Sequence, residues 1–237
     1  MEEAVNASLQ TVLQRIQLAS EMAKVDHPVT LIAVSKTKPT QLLAAAYSAG
    51  QRDFGENYVQ EVMQKAPELP EDIRWHFIGH LQTNKVKDLL SVPSLQCIHT
   101  VDSLRLAKEL QKRVVQLRPH KPLDVFVQVN TSGEESKSGC TPDECAAFCF
   151  ELQASCPDLR LQGLMCIGKY SADEGGSDVD FACLGSCREL VANALKLEPR
   201  SLALSMGMSH DFEAAVHAGA THVRVGSTIF GARSPKV

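Results

Sequence analysis

Nowhere in its 237 residues does this chain hold the ~18 consecutive apolar residues that a membrane span needs. It has no run of lysine or arginine, and a net charge of −4 argues against nucleic acid as a main partner. The opening stretch MEEAVNASLQ lacks the apolar centre of a signal peptide. No CxxC spacing occurs among the eight cysteines. Cys145/Cys149 and Cys183/Cys187 are instead four apart within helical patterns, so the thiols read as reduced packing groups and not as a disulfide frame. Cytoplasm is the expected compartment, and the sequon-like NAS and NTS carry no weight there. Walker, GxSxG and HExxH motifs are missing, and no GxGxxG follows the first strand. Those absences remove the P-loop, serine-hydrolase, zincin and dinucleotide readings.

What is there is a globular composition, 44% hydrophobic, in a chain close to the ~250 residues of one (β/α)8 barrel. Residues 3–24 place Val5, Leu9, Val12, Leu13 and Ile16 three and four apart, an amphipathic helix. Apolar strands then recur at 30–35, 53–56, 74–79, 97–101, 123–130, 160–167, 202–206 and 222–226. Helical segments fall between them at 39–49, 57–65, 82–90, 103–117, 142–154, 179–196 and 209–218. Thr141-Pro142-Asp143-Glu144 reads as a capping box with proline at the first helical position. Gly50 and Gly219 stand where helices need a left-handed terminator. AAAYSAGQRDFGEN and EAAVHAGATHVRVGST echo each other as one repeated helix-end, strand and glycine unit. The expectation is an α/β protein, a TIM barrel forming a single domain over 1–237, with the segment 1–27 as an extra N-terminal helix packed outside. An open doubly wound sheet is the rival. The stretch GKYSADEGGSD, 168–178, reads as a mobile loop.

Chemistry in such a barrel belongs at the carboxyl ends of the strands. In LIAVSKTKP the first strand runs into Ser35-Lys36. A strand-end lysine is usually a solvated surface group; the sharper reading is a reactive amine. The other ends bring Glu56-Asn57, His76 to His80, Asn130-Thr131-Ser132, Ser205 to Ser209 and Arg224 to Thr228. SMGMS and VRVGSTIFG follow the last two strands, where barrels commonly hold a phosphate. Gly226 would let the backbone approach closely, and the N–H groups of Gly226 and Ser227 would open a short helix suited to an anion. Ser209, as N-cap of the preceding helix, would add a hydroxyl. A lysine facing a phosphate site suggests a phosphorylated aldehyde held as a Schiff base, for which the amine must spend time neutral.

AVSKTKP, FGENYVQE, WHFIGHLQTNK, NTSGEESKSG, GLM, LSMGMSHDFEAAV and VRVGSTIFGAR run in order from about 31 to 233. Together they resemble the pyridoxal phosphate homeostasis protein family. That family is similar to the barrel domain of alanine racemase, of fold-type III, without its second, β-rich domain. The resemblance implies pyridoxal 5'-phosphate as cofactor, with Lys36 forming the internal aldimine. It further implies that Ser209, Gly226 and Ser227 hold the phosphate and that Arg224 faces the pyridine nitrogen. Asn57 and Met206 would line the ring, with His76 nearby.

An arginine, always cationic, disfavours a proton on that nitrogen and weakens the ring as an electron sink. Racemases of this fold work with such an arginine by pairing the lysine with a tyrosine from a partner's second domain. This chain has Tyr47, Tyr58 and Tyr170, none in the setting of that base. The resemblance therefore implies a non-catalytic, monomeric carrier that supplies the cofactor to pyridoxal-phosphate-dependent apoenzymes in vitamin B6 homeostasis. The alternative is a fold-type III amino-acid racemase; a Schiff-base aldolase without cofactor is a third class. His76 and His80 straddle a strand end and a turn, so no metal site is expected from that pair. GEESKSG reads as a solvated loop.

Overall fold

The computed structural model describes residues 2–169 and 177–232. The chain opens with α1 (Glu2–Met22) and then alternates: β1 (Thr30–Val34), α2 (Thr40–Ser48), β2 (Asp53–Glu56), α3 (Val59–Lys65), β3 (Arg74–Phe77), α4 (Val86–Leu90). It continues with β4 (Leu95–Val101), α5 (Leu104–Leu117), β5 (Leu123–Gln128), α6 (Pro142–Ser155), β6 (Leu159–Met165) and α7 (Asp178–Leu195). β7 (Ala203–Ser205), α8 (Phe212–His217), β8 (His222–Val225) and α9 (Ser227–Phe230) complete it. The strands pair in parallel in sequence order and β8 closes on β1, the expected barrel and not the open sheet. α1 buries Val5, Leu9, Val12 and Ile16 against α2, α8 and α9, outside the ring.

The boundary chemistry is where the residues placed it. Thr141 accepts from the Glu144 N–H while the Glu144 carboxylate accepts from Thr141, closing the capping box ahead of α6. Thr141→Ala should cost about 1 kcal/mol by removing that cap, read as a shift in the urea midpoint at unchanged slope. α2 and α8 end alike. Gly50 takes φ 103° and donates to the Tyr47 carbonyl while Gln51 donates to that of Ala46. Gly219 at φ 90° repeats the pattern with Val216 and Ala215, so the two echoing segments share one Schellman terminator.

Several boundaries move. The 82–90 helix splits into a 3-10 turn, Thr83–Lys85, and α4. The connection from β7 to α8 is longer than expected, since α8 starts at Phe212 behind Asp211 and not at 209. The mobile loop expected at 168–178 falls largely on 170–176, outside the described residues. The GEESKSG segment is tied down: the Asn130 amide donates to the carbonyls of Glu134 and Lys137, and Lys137 reaches the Gly168 carbonyl.

Most apolar side chains fill the space between strands and helices, but the barrel interior is mixed. Cys97, Phe126 and Met165 form a small apolar cluster there. Beside them His76, His99, Ser205 and Arg224 are buried. No helix among the described residues is long and apolar enough to cross a membrane.

Candidate functional site

A cavity of about 360 Å³ opens at the carboxyl ends of the strands. Lys36 and Lys38 enter it from the loop after β1, Asn57 from the end of β2, and Ser209 from the loop after β7. His210 follows Ser209 into it, and Arg224 on β8 with Gly226 and Ser227 at the start of α9 adds to the polar lining, with Val34, Ile78, Ile167 and Met208 on the apolar side. Six of the seven residues expected from the sequence therefore share one cavity.

Met206 does not. It is fully buried in the main core and is not among the lining residues. Gly207 at φ 87° turns the chain directly after it, and Met208 reaches the cavity instead. His76 is likewise displaced: it lies inside the barrel toward the opposite mouth. Ser209 is not an N-cap; its hydroxyl oxygen accepts the Gly226 N–H at 3.1 Å and so ties the loop after β7 to the one after β8. That contact uses the Gly226 N–H, which leaves the first amides of α9, on Ser227 and Thr228, without intrahelical acceptors. Gly226 also lies close to β1: a Cβ there would sit 3.2 Å from Val34, which would have to give by a few tenths of an ångström.

The backbone carrying Lys36 is clamped from below. Lys65, buried at the end of α3, donates to the Ser35 carbonyl at 2.8 Å, to Glu56 at 2.7 Å and to Glu61 at 2.6 Å. Ser35 also donates its hydroxyl to Glu56 at 2.7 Å. Burial pushes the Glu56 carboxyl up, and Lys65 pulls it back. Glu61 in turn accepts the Thr37 N–H at 2.7 Å. Thr37 holds φ 61°, a left-handed conformation costing a β-branched residue ~1–2 kcal/mol. The strained turn and the clamp together point the segment after Lys36 away from the strand direction. Lys38 donates to the carbonyls of Gly231 and Ala232, closing the rim.

Arg224 forms the floor. It is 5% exposed and donates to the Ser205 hydroxyl oxygen and to the Cys166 carbonyl, each at 2.7 Å. No carboxylate among the described residues forms an ion pair with it. Burial pulls its pKa down from the ordinary arginine value, which still leaves it cationic at neutral pH. From Ser205 a chain of contacts crosses the interior: Ser205 to His99 Nδ1, His99 Nε2 to His76 Nδ1, and His76 Nε2 to Asp53, each 3.0 Å. Arginine can only donate and a carboxylate only accept. With neutral rings, one arrangement gives every contact a hydrogen: Ser205 donates to His99, His99 to His76, and His76 to Asp53. Burial, then His76 and His222, holds His99 well below the ordinary histidine range, so that ring is neutral at pH 7. Burial alone would raise Asp53, but Arg74 and His76 outweigh it and keep the carboxyl well below the usual range. Sequence reasoning missed this chain, together with Lys38, Ile78, Ile167 and Met208. Its members come from five strands, and only alternation along each strand hinted that they face inward.

A parallel barrel with two lysines, a buried arginine and the first amides of a helix at its carboxyl mouth has the layout of the alanine racemase class of barrel. The family described as "Alanine racemase, N-terminal domain" matches residues 7–234. The pyridoxal phosphate homeostasis protein of Bos taurus is 46% identical over 242 residues, covering 98% of this chain and 88% of its own length. PipY of Synechococcus elongatus, in its structure "with PLP bound", superposes with a TM-score of 0.72 at 32% identity, covering 91% of this chain and all of its own. Alanine racemase of Corynebacterium glutamicum shares the fold alone, at 16% identity and a TM-score of 0.72, with 98% of this chain matched to 62% of the racemase. This chain belongs to the pyridoxal phosphate homeostasis protein family.

Proposed function

We propose that the chain binds pyridoxal 5'-phosphate in the carboxyl-end cavity, joined covalently through the Lys36 amine, and serves vitamin B6 homeostasis without turnover of its own. The observation that carries this reading is Arg224: a buried guanidinium with two neutral acceptors and, among the described residues, no counter-carboxylate, at the floor of a cavity that also receives Lys36. Such a floor suits an acceptor nitrogen and a nearby anion. Ser209 and the first amides of α9 provide donors for a phosphate, with Gly226 letting that helix start close against β1. Asn57 and Met208, which line the same cavity, would border the ring. The cofactor supplies an aldehyde that condenses with amines and a ring that accepts electrons.

The residues present support holding more than turnover. A cationic partner at the ring nitrogen weakens that electron sink. No tyrosine is among the described residues lining the cavity. Tyr47 donates its hydroxyl to Asp72 under Arg52, and Tyr58 lies exposed ahead of α3. PipY is described with PLP bound, and 32% identity over 91% of this chain supports carrying that binding over to it. The reading extends to a monomer in the cytoplasm, one folded unit including α1, handing its cofactor to pyridoxal-phosphate-dependent apoenzymes.

Borohydride reduction of the loaded protein, followed by digestion and mass spectrometry, should leave the pyridoxyl adduct on Lys36. Lys36→Ala should remove it. An adduct carried by another lysine, with Lys36 unmodified, overturns the covalent assignment. Sustained α-proton exchange of L- or D-amino acids in D2O at enzyme-like rates would replace the carrier reading with the racemase one.

A further inference from the structure

Behind the pocket floor lies a second group of chemistry-bearing side chains that the proposed function leaves unused. His76 on β3 and Cys97 and His99 on β4 are all buried, and one ligand atom from each lies within 4.8 Å of the others. Strand register produces the grouping: His76 pairs with Cys97, and His99, two residues on, faces the same way. His76 Nδ1 and His99 Nε2 face each other 3.0 Å apart. That is within a few tenths of an ångström of the ~3.3 Å that two ~2.0 Å zinc–nitrogen bonds set at a tetrahedral centre.

The outer nitrogens are already engaged. His76 Nε2 meets Asp53, and His99 Nδ1 meets the Ser205 hydroxyl. A carboxylate behind a ligating histidine fixes its ring and raises its basicity, an arrangement metal sites share. Asp53 is itself held by Arg74. A second cavity, about 260 Å³, opens at the amino-terminal mouth of the barrel and is lined by His76 and Cys97 with Asp53, Asp124 and His222. It provides an entry path and room for a water in the fourth position.

We propose that His76, Cys97 and His99 form a binding site for a thiophilic divalent cation, Zn²⁺ in the first place, at the opposite end of the barrel from the cofactor cavity. Two imidazoles and one thiolate select such a metal over Mg²⁺ or Ca²⁺, which take oxygen ligands. On binding, Cys97 gives its thiol proton to water. His99 exchanges its Nε2 hydrogen for one on Nδ1, which then donates to Ser205. Ser205 accepts from both His99 and Arg224 in that state, so the metal reorders the contact beneath Arg224.

The test is a Co²⁺ titration of chelator-treated full-length protein without cofactor, followed by displacement with Zn²⁺. One Co²⁺ per chain should bind with a thiolate-to-cobalt charge-transfer band and the intense visible bands of a tetrahedral centre, both erased by Zn²⁺. Cys97→Ser should abolish the charge-transfer band and weaken Zn²⁺ binding at least about 100-fold. Asp53→Asn should keep the band and weaken binding about 10-fold. Should Cys97→Ser fail to fold, X-ray absorption of the zinc-loaded wild type decides: one sulfur at ~2.3 Å with nitrogens at ~2.0 Å upholds the site. Absence of the band in the wild type overturns it. So does a band that survives Cys97→Ser and disappears in Cys145→Ser, which would place the metal among the thiols of Cys140, Cys145, Cys149 and Cys187 between α6 and α7.

Discussion

Lys65→Met should destabilise the protein by about 3–5 kcal/mol, the cost of leaving a buried charge without its partner. Glu56 is fully buried, and one of its oxygens accepts no hydrogen bond from the described residues, so the other carries the whole burden with Lys65 and Ser35. Without the ammonium, Glu56 must either stay charged in the core or take up a proton, and both routes favour the unfolded chain. For a protein of this size the loss corresponds to a melting point lower by roughly 10 °C. Urea unfolding of Lys65→Met, Glu56→Gln and the double variant forms the check. Because the neutral amide removes the stranded charge, the double variant should recover part of the loss, with a coupling of about 1–3 kcal/mol. A single-variant cost below about 1 kcal/mol would mean that the pair behaves as a solvated surface contact.

Gly79→Ala carries the other large effect, and it falls on the site as well as on the fold. A Cβ at Gly79 would sit 2.1 Å from the Asn57 carbonyl oxygen and 2.7 Å from its Cα. Both are backbone atoms, so no rotamer change relieves the clash, and the two chain segments must separate. Overpacking of this kind costs ~3 kcal/mol or more. Asn57 borders the carboxyl-end cavity, so its displacement should also shorten cofactor retention, by about 10-fold on a spectroscopic off-rate with an apoenzyme trap, or ~1.4 kcal/mol. Asn57→Ala is the useful comparison, since it removes the side chain and leaves the backbone where it is. Retention lost equally in both variants would assign the effect to the Asn57 amide and not to the spacing of the segments.

The legible parts of this protein were those written in local pattern. Alternation of apolar strands with helices gave the barrel, and the Ala-Gly ends of α2 and α8 announced the same terminator twice because each needs only five or six adjacent residues. Lys36, Asn57, Ser209, Arg224, Gly226 and Ser227 reach one cavity because strand ends in a barrel converge, whatever the details of each turn. Details of turns are what went astray. Met206 and Met208 are indistinguishable by composition, and the left-handed Gly207 between them decides which one faces the cavity. Ser209 looked like a cap because helices favour serine there, yet Asp211 stands in that place and turns its carboxylate back to the Met208 N–H. The strand-end range His76 to His80 opens on a residue still inside β3, whose alternation turns the His76 imidazole into the barrel interior. Lys65 gave no signal, since a lysine closing a short helix is ordinarily exposed, and only the partner 30 residues earlier reveals its burial.

The threefold grip on Lys65 also bears on reactivity. A carbonyl compound condenses only with an amine that can present a lone pair. Lys65 gives its hydrogens to Ser35, Glu56 and Glu61 and is 7% exposed, so an incoming aldehyde finds neither an electron pair nor an approach. This interior ammonium is thereby silent toward sugars, glyoxals and crosslinking aldehydes, and such adducts on the folded protein will accumulate on its outward-facing amines instead.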